Sequence, residues 1–289
     1  MTAGNLLQLL KDTVRDWLKV KAPRLAAALA YYTAFSLAPL LIILIGIAGL
    51  VFGREAAQGQ ILGPLQGVLG PQGGHTLQSL IAASSKPSSG ILATIIGLVT
   101  LVLGASGVFG QLQEALNTIW EVPAKAAGGI WHAIRERFLS FGMVLGVAFL
   151  LLVSLVISTG LAALGKFVGH AFPSLVILTT ILSFLISWAV ISTLFAVIFK
   201  YLPDAEIAWK DVWIGAFVTG LLFMVGQMLI SLYIGHSAMA STYGAAASLL
   251  IILVWVYYSA QILLFGAEFT RVYAKQYGSH AQAGRTQAA

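Results

Sequence analysis

The sequence contains no cysteine and very few charged residues. The absence of cysteine excludes disulfides, a catalytic thiol and thiolate ligands for a metal ion. Asp, Glu, Lys and Arg together account for 9% of the residues, whereas about 25% is typical of soluble globular domains. Since so little charge cannot cover the surface of a water-soluble fold, the chain is predicted to lie in a lipid bilayer.

Apolar residues dominate the sequence and are grouped into long runs. Hydrophobic residues make up 59% of the chain, and its mean hydropathy is +0.92. A helix needs about 20 mostly apolar residues to cross the hydrocarbon core. The predicted fold class is therefore all-α, a polytopic integral membrane protein whose transmembrane domain covers residues 29–267. Its six transmembrane helices are predicted at 29–52, 91–110, 138–163, 175–199, 212–234 and 245–267.

Segments outside these six spans are predicted to form amphipathic surface helices. Residues 1–28 contain a cytoplasmic N-terminal helix, residues 53–90 hold short helices at the rim of the bundle, and residues 109–123 form an inner amphipathic segment. Residues 268–289 are predicted to be a cytoplasmic tail with a disordered end. The apolar residues of the inner segment share one helical face: Phe109, Leu112, Leu116 and Ile119.

The distribution of Lys and Arg predicts the orientation in the membrane. A net charge of +6 and a pI of about 9.6 would alone suggest a nucleic-acid partner. The cations lie instead in short segments between apolar spans, so no basic face for nucleic acid is expected. Nearly all of them precede the first span, follow the sixth, or lie in the second–third and fourth–fifth connections. Since such cations stay in the cytoplasm, both termini are predicted to be cytoplasmic.

Residues 6–21 have the pattern of a helix that lies flat on a membrane surface. One face carries Leu6, Leu10, Val14, Trp17 and Leu18. The other face carries Gln8, Lys11, Asp12, Arg15, Asp16 and Lys19. The cations are expected near anionic lipid head groups. A helix that caps the bundle from the cytoplasm is the alternative interpretation, and the two are compatible.

The first span, YYTAFSLAPLLIILIGIAGLVFG, contains a proline inside an apolar run. Pro39 has no N–H and leaves the carbonyl of Phe35 without its helical partner. Because an unsatisfied carbonyl is costly in lipid, this face is expected to look into protein or a hydrated cavity. Tyr32 and Ser36 share the face with Pro39, at spacings i, i+4 and i+7. These three residues are therefore predicted to face the interior.

Two later spans carry comparable polar stripes. Gly220, Gln227 and Ser231 share a face of the fifth span, and Tyr257, Gln261 and Glu268 share a face of the sixth. One interpretation is a polar groove inside the bundle. The alternative is ordinary hydrogen bonding between helices, and the pattern does not choose between them. The predicted groove residues are Tyr32, Ser36, Pro39, Gln227, Ser231, Tyr257 and Gln261.

Polar contacts are also predicted at the cytoplasmic end of the bundle. Arg24 lies close enough in depth to meet Glu268 if the first and sixth helices are neighbours. Close helix packing is expected at Gly142-x-x-x-Gly146 and at residues 245–248, either within one subunit or between two. A homo-oligomer therefore remains open. The four residues assigned to the cytoplasmic-end contacts are Arg24, Glu268, Asn117 and Asp204.

Four sequence blocks resemble the YihY/BrkB family of bacterial inner-membrane proteins: RLAAALAYYTAFSLAPLLI, LNTIW, YLPD and YGAAASLLIILVWVYYSAQILLFGAEF. The resemblance covers about residues 10–275. It implies the bacterial inner membrane, six transmembrane helices and both ends inside. Members of the family have carried the label ribonuclease BN or a virulence label, and some resemble proteins implicated in moving lipid or lipopolysaccharide precursors.

The residues argue against a ribonuclease. A metal-dependent nuclease needs clustered carboxylates and histidines, and the five histidines are scattered over both sides of the membrane. Asp204 and Glu206 lie on a short turn beside Lys200 and Lys210, which is typical of a solvated, compensated charge cluster. We therefore expect no enzymatic activity, no catalytic residues, no metal site and no cofactor.

Two non-enzymatic functions remain. The first is a passive or partner-driven conduit for a lipid or another amphipathic molecule, with membrane lipids as partners. The alternative is a scaffold that recruits envelope proteins through its N-terminal helix and rim segments. No ionisable residue is predicted near the middle of a span, which disfavours a proton-driven antiporter.

Overall fold

The computed structural model describes residues 3–36, 107–123, 176–236 and 247–279, together with the single residues 59 and 78. Its regular structure within those segments is entirely helical. Several predicted features lie outside the described residues. They are Pro39 with the rest of the first span after residue 36, most of 53–90, the second span before residue 107, the third span at 138–163 and the end of the tail after residue 279. The described helices are α1 (Ala3–Lys19), α2 (residues 22–36), α3 (residues 107–119), α4 (Val176–Tyr201), α5 (Trp209–His236) and α6 (Ala247–Gln276).

Three of these helices are long and apolar enough to cross a membrane, over Phe184–Tyr201, Trp209–Ile230 and Leu250–Gln276. They correspond to the predicted fourth, fifth and sixth spans. The last of them continues past the predicted limit at residue 267, through Glu268 and Arg271. This extension is possible because both polar side chains are paired inside the bundle.

Helices α5 and α6 cross where two glycine–threonine pairs meet. Thr219 Oγ1 donates to the Gly215 carbonyl oxygen at 2.6 Å, and Thr270 Oγ1 donates to the Gly266 carbonyl oxygen at 2.7 Å. Each threonine packs on the glycine of the opposite helix, since a Cβ at 215 would lie 2.7 Å from Thr270 Cβ and one at 266 would lie 2.8 Å from Thr219 Cβ. The two backbones therefore approach closely at this crossing.

Helix α4 packs against α5 at the same depth. A Cβ at Gly220 would lie 2.5 Å from Ser192 Oγ, and Trp188 Nε1 donates to the Phe217 carbonyl oxygen at 3.0 Å. The connection between the two helices is fixed by Lys200 Nζ, which donates to the Ile207 carbonyl oxygen at 2.6 Å. These contacts make α4, α5 and α6 one packed layer.

Helices α2 and α3 complete the main hydrophobic core against α4. The predicted apolar face of α3 is turned inward, with Leu116 and Ile119 fully buried. Between α1 and α2 the chain turns at Lys21, whose φ of 56° lies in the left-handed region. Pro23 follows in the first turn of α2, where its missing N–H is tolerated. Core residues from these helices include Ala22, Ala26, Leu29, Ala115, Phe195 and Phe199.

Helix α1 lies across α6 and touches α5. Leu9 is buried in a small cluster with Phe269 and Val272 of α6, against which Val218 of α5 also packs. Trp17 meets the ring of Phe265 edge-on, at 6.4 Å between centroids. Helix α1 therefore packs on the bundle through Leu9 and Trp17.

Candidate functional site: a buried charge network around Arg271

The guanidinium of Arg271 joins carboxylates from three separate segments. Its Nε and Nη2 atoms donate to Glu268 Oε1 at 2.9 and 2.5 Å. Nη1 donates to Glu121 Oε1 at 2.6 Å, and Nη2 also donates to Asp16 Oδ2 at 3.1 Å. Arg271 is 3% exposed and Glu268 is 0% exposed. A buried charge requires pairing and hydrogen bonding, and this arrangement supplies both.

Glu121 reaches Arg271 because of the way α3 ends. The N–H of Val122 donates to the Asn117 carbonyl oxygen at 2.9 Å, and the N–H of Glu121 donates to that of Thr118 at 3.3 Å. This pair of bonds is the Schellman motif, whose left-handed position usually holds glycine. Glu121 occupies that position with φ of 56°. A non-glycine residue in this region is a strained conformation of the kind that clusters at functional sites.

Glu268 of α6 lies level with the apolar stretch Trp209–Ile230 of the neighbouring helix α5. It falls between Gly266 and Thr270, which pack on Thr219 and Gly215 of α5. Phe217 is the residue of α5 at the level of Glu268, and it follows Trp209, where the apolar stretch of α5 begins, by eight residues. At 1.5 Å per residue that is about 12 Å along the helix. An ionisable group within an apolar helix is expected to be functional and to have a defined partner, which here is Arg271.

Some of the buried polar atoms without a partner belong to residues of this network or to their neighbours in the chain. Trp17 follows Asp16, and Trp120 precedes Glu121. Within the described part of the chain, Trp17 Nε1, Trp120 Nε1 and Glu268 Oε2 are buried without a hydrogen-bond partner.

Outer contacts extend the network along the same end of the bundle. Lys275 Nζ donates to Glu121 Oε2 at 3.0 Å, and Gln276 Nε2 donates to Asp12 Oδ2 at 2.9 Å. Beyond the end of α6, the N–H and hydroxyl of Ser279 donate to Asp211 Oδ2 at 3.0 and 2.7 Å. These contacts tie α1, α3 and the start of α5 to the end of α6.

Two of the residues assigned to the polar contacts at this end bond to each other. Asn117 Nδ2 donates to Asp204 Oδ2 at 3.0 Å, and the N–H of Asp204 donates to Asn117 Oδ1 at 2.8 Å. This pair joins α3 to the turn between α4 and α5. Arg24 is exposed on α2, and Glu268 pairs with Arg271 rather than with Arg24.

The residues predicted to line the groove differ in their burial. Tyr32 is exposed, whereas Ser36 is buried beside Gly107. Gln227 is exposed on α5, whereas Gln261 Oε1 on α6 is buried and has no partner among the described residues. Tyr257 is at the boundary of exposure, at 36%. Pro39 and the side chain of Ser231 lie outside the described part of the structure.

Arg271, Glu121 and Asp16 were not among the residues predicted from the sequence to form polar contacts at this end. The i, i+3 spacing of Glu268 and Arg271 at the end of an apolar helix was the local signal for that pair. Within the described residues, no group of three or more His, Cys, Asp or Glu side chains could hold a metal ion. The chemistry of this site is that of charge pairing and hydrogen bonding.

A family model described as Virulence factor BrkB matches residues 13–289. The chain belongs to the BrkB family. The network residues Asp16, Glu121, Glu268 and Arg271 all lie within the matched region. No solved structure matches the chain.

Relatives with the name UPF0761 membrane protein share about a quarter of their residues with this BrkB-family chain. The protein of Teredinibacter turnerae is 26% identical over 272 residues, covering 94% of this chain and 61% of the relative. That of Pseudoalteromonas atlantica is 28% identical over 249 residues, covering 86% and 79%. That of Pseudomonas paraeruginosa is 26% identical over 252 residues, covering 86% and 58%. The chain thus spans about six tenths of the length of the first and third relatives. With the three apolar helices, these matches identify a membrane protein of this family.

Glu121 gives the network a predictable pH dependence. The hydrogen bond from Lys275 lowers the pKa of Glu121 below its usual value, desolvation partly opposes this, and the charges of Arg271 and Lys275 add to the lowering. A lowered pKa in the folded state stabilises the fold above the pKa of the unfolded glutamate. The contribution is lost as the pH falls through the folded-state pKa. Because the Glu121 side chain is 59% exposed, we expect it to be under about 1 kcal/mol.

Thermal unfolding of the detergent-solubilised protein across acidic pH measures this effect. Glu121→Gln should reduce the loss of stability on acidification relative to the parent protein. Equal pH profiles for Glu121→Gln and the parent protein would contradict the assignment.

Proposed function

We propose that this BrkB-family protein is an inner-membrane transporter or conduit that moves a lipid or another amphipathic molecule. The passage is a polar groove in a bundle of six transmembrane helices, with both termini in the cytoplasm as the cation distribution indicates. Movement is passive or driven by a partner protein.

The polar stripe on α6 is the observation that carries this proposal. Tyr257, Gln261 and Glu268 share one face of the helix, at intervals of four and seven residues. Their burial increases along the stripe, from the 36% exposed Tyr257 through the half-buried Gln261 to the fully buried Glu268. The stripe is about 16 Å long at 1.5 Å per residue, roughly half the thickness of the hydrocarbon core. A polar path from the surface of the bundle to its charged interior suits a head group better than a wholly apolar molecule.

Gln261 favours a groove over structural hydrogen bonding. An amide that holds two helices together should have its oxygen paired, since an unmade buried hydrogen bond costs about 1–3 kcal/mol. Among the described residues, Gln261 Oε1 has no such partner. A passing head group or water would supply the missing donor.

Reconstituted protein tests the proposal, with fluorescent short-chain phosphatidylethanolamine and phosphatidylglycerol as probes. Transfer between leaflets is measured by the fraction that a membrane-impermeant reductant quenches over time. We expect Gln261→Leu to slow transfer about tenfold, the effect of losing 1.4 kcal/mol of polar interaction. The matched control is Gln227→Leu, which makes the same change at an exposed glutamine on α5 and should stay within about twofold.

Two results would contradict the proposal. One is a parent protein that transfers neither probe faster than empty liposomes. The other is an equal effect of Gln261→Leu and Gln227→Leu, because the exposed glutamine is not part of the stripe. Gel filtration and thermal unfolding of each variant separate a transport defect from misfolding.

A scaffold that recruits envelope proteins is the second candidate, and the exposed outer face of α1 favours it. Such a scaffold would lose function through changes on that face, such as Leu7→Ser, and tolerate Gln261→Leu. The conduit predicts the opposite ranking of these two variants.

A further inference from the structure

Helix α1 keeps its acidic residues against the bundle. Asp16 accepts from Arg271, and Asp12 accepts from Gln276. Leu9 and Thr13 are buried on the same side. The negative charges of α1 are therefore paired with the bundle.

The opposite side of α1 carries an exposed apolar stripe. Leu7 and Leu18 are each 57% exposed. At 100° per residue, the exposed cations Lys11, Arg15 and Lys19 form a third sector between this stripe and the acidic side. Arg15 also bonds Asp12 and Asp16, but its side chain remains 70% exposed. The other exposed residues of the stripe are Leu6, Leu10 and Val14.

The packed side of α1 sets the level of this stripe in the bilayer. Leu9 contacts Phe269 and Val272 of α6 in a cluster that also includes Val218 of α5. All three contact residues lie within the apolar stretches of α5 and α6, Trp209–Ile230 and Leu250–Gln276. The stripe therefore lies beside apolar parts of α5 and α6, where acyl chains could cover it, while flexible lysine and arginine side chains can extend to the head groups.

We propose that the outer face of α1 is a docking surface for anionic phospholipid. Acyl chains cover the leucine stripe, and phosphates of the same lipids bind Lys11, Arg15 and Lys19. Charge complementarity supports an anionic lipid, because the carboxylates of this helix are turned to the bundle and only its cations face outward. The surface is independent of the proposed groove, so a protein without transport activity would still bind lipid here.

Single-cysteine labelling gives a direct test, since the chain has no cysteine of its own. An environment-sensitive fluorophore is attached at Leu7→Cys or Leu18→Cys, and at Gln8→Cys as the matched control on the polar side. The full-length protein is placed in nanodiscs in which either phosphatidylglycerol or phosphatidylcholine carries brominated, quenching acyl chains. The quenching ratio of the two lipids, at equal composition, reports which lipid lies next to the label.

We expect quenching at positions 7 and 18 and little quenching at position 8. At positions 7 and 18, brominated phosphatidylglycerol should quench more than brominated phosphatidylcholine. A cation near an anionic surface contributes about 1 kcal/mol, so each engaged lysine should enrich phosphatidylglycerol about fivefold. The pair Lys11→Gln and Lys19→Gln should remove most of this enrichment, as should high salt.

Three outcomes would overturn the proposal. Labels at positions 7 and 18 that stay in water mean that no lipid covers the stripe. Equal quenching by both lipids means that the surface does not select negative charge. Energy transfer between labels on different molecules, lost in nanodiscs that hold one copy, would mean that a second copy of this chain covers the face.

Discussion

Replacing Arg271 with methionine is expected to lower the free energy of unfolding by roughly 3–5 kcal/mol, the range for removing one partner of a buried ion pair. The substitution keeps much of the side-chain volume but leaves Glu268, fully buried, without its cation. It also releases Asp16 and Glu121, which hold α1 and the end of α3 against α6. Denaturant titration of the solubilised protein measures the loss. Arg271→Lys should recover only part of it, because an ammonium cannot reproduce the planar fork of donors.

The matched control for Arg271→Met is Arg15→Met. Arg15 also contacts two carboxylates, but its side chain is 70% exposed, and the change should cost less than about 1 kcal/mol. If Arg271→Met does not fold, the double variant Arg271→Met/Glu268→Gln keeps the assignment testable. Removing the buried negative charge together with its cation should restore folding. Equal stability of Arg271→Met and Arg15→Met would show that the network contributes little.

Three of the predicted spans correspond to described helices because the signal of a span is local. Apolar length alone identifies a span, and the described helices α4, α5 and α6 lie where the fourth, fifth and sixth spans were expected. The end of α6 was less predictable. Glu268 and Arg271 have the composition of a cytoplasmic boundary, and only their pairing inside the bundle allows the helix to continue to Gln276.

The charge network depended on contacts that the sequence could not supply. Arg271 meets Asp16 and Glu121 across separations of 255 and 150 residues. Helical periodicity placed Asp16 on the polar face of α1, whose cations were expected near head groups, but it could not show that Asp16 itself pairs with Arg271 of α6. Asn117 and Asp204, which bond to each other, had both been assigned to the polar contacts at one end of the bundle from the sequence.

Periodicity also identified polar faces without identifying what covers them. Gln227 and Gln261 belong to similar stripes, yet one is exposed and the other has a buried amide oxygen. The difference comes from the neighbouring helices. Burial of the polar faces on α5 and α6 therefore depends on tertiary packing, which helical periodicity does not encode.

The crossing of α5 and α6 should be as sensitive to substitution as the charge network. Gly266→Leu is expected to destabilise the protein by several kcal/mol, beyond the roughly 1–3 kcal/mol of ordinary overpacking. Even the first added carbon would lie 2.6 Å from Thr219 Cγ2 and 2.8 Å from Thr219 Cβ. The threonine hydroxyl is held on the Gly215 carbonyl, so it cannot turn away without losing a hydrogen bond. The same denaturant titration measures the effect.

A double substitution that adds atoms to α6 and removes them from α5 tests whether the close approach of the two helices causes the destabilisation. Thr219→Gly removes the atoms that a side chain at 266 would meet, so Gly266→Ala/Thr219→Gly should be more stable than the sum of its single changes predicts. The control is Gly110→Ala on α3, where no atom lies within 4 Å of an added Cβ. Since alanine is the better helix former by about 0.5–1 kcal/mol, this variant should match or exceed the parent in stability. Similar losses in Gly266→Ala and Gly110→Ala would mean that close approach of α5 and α6 does not limit stability.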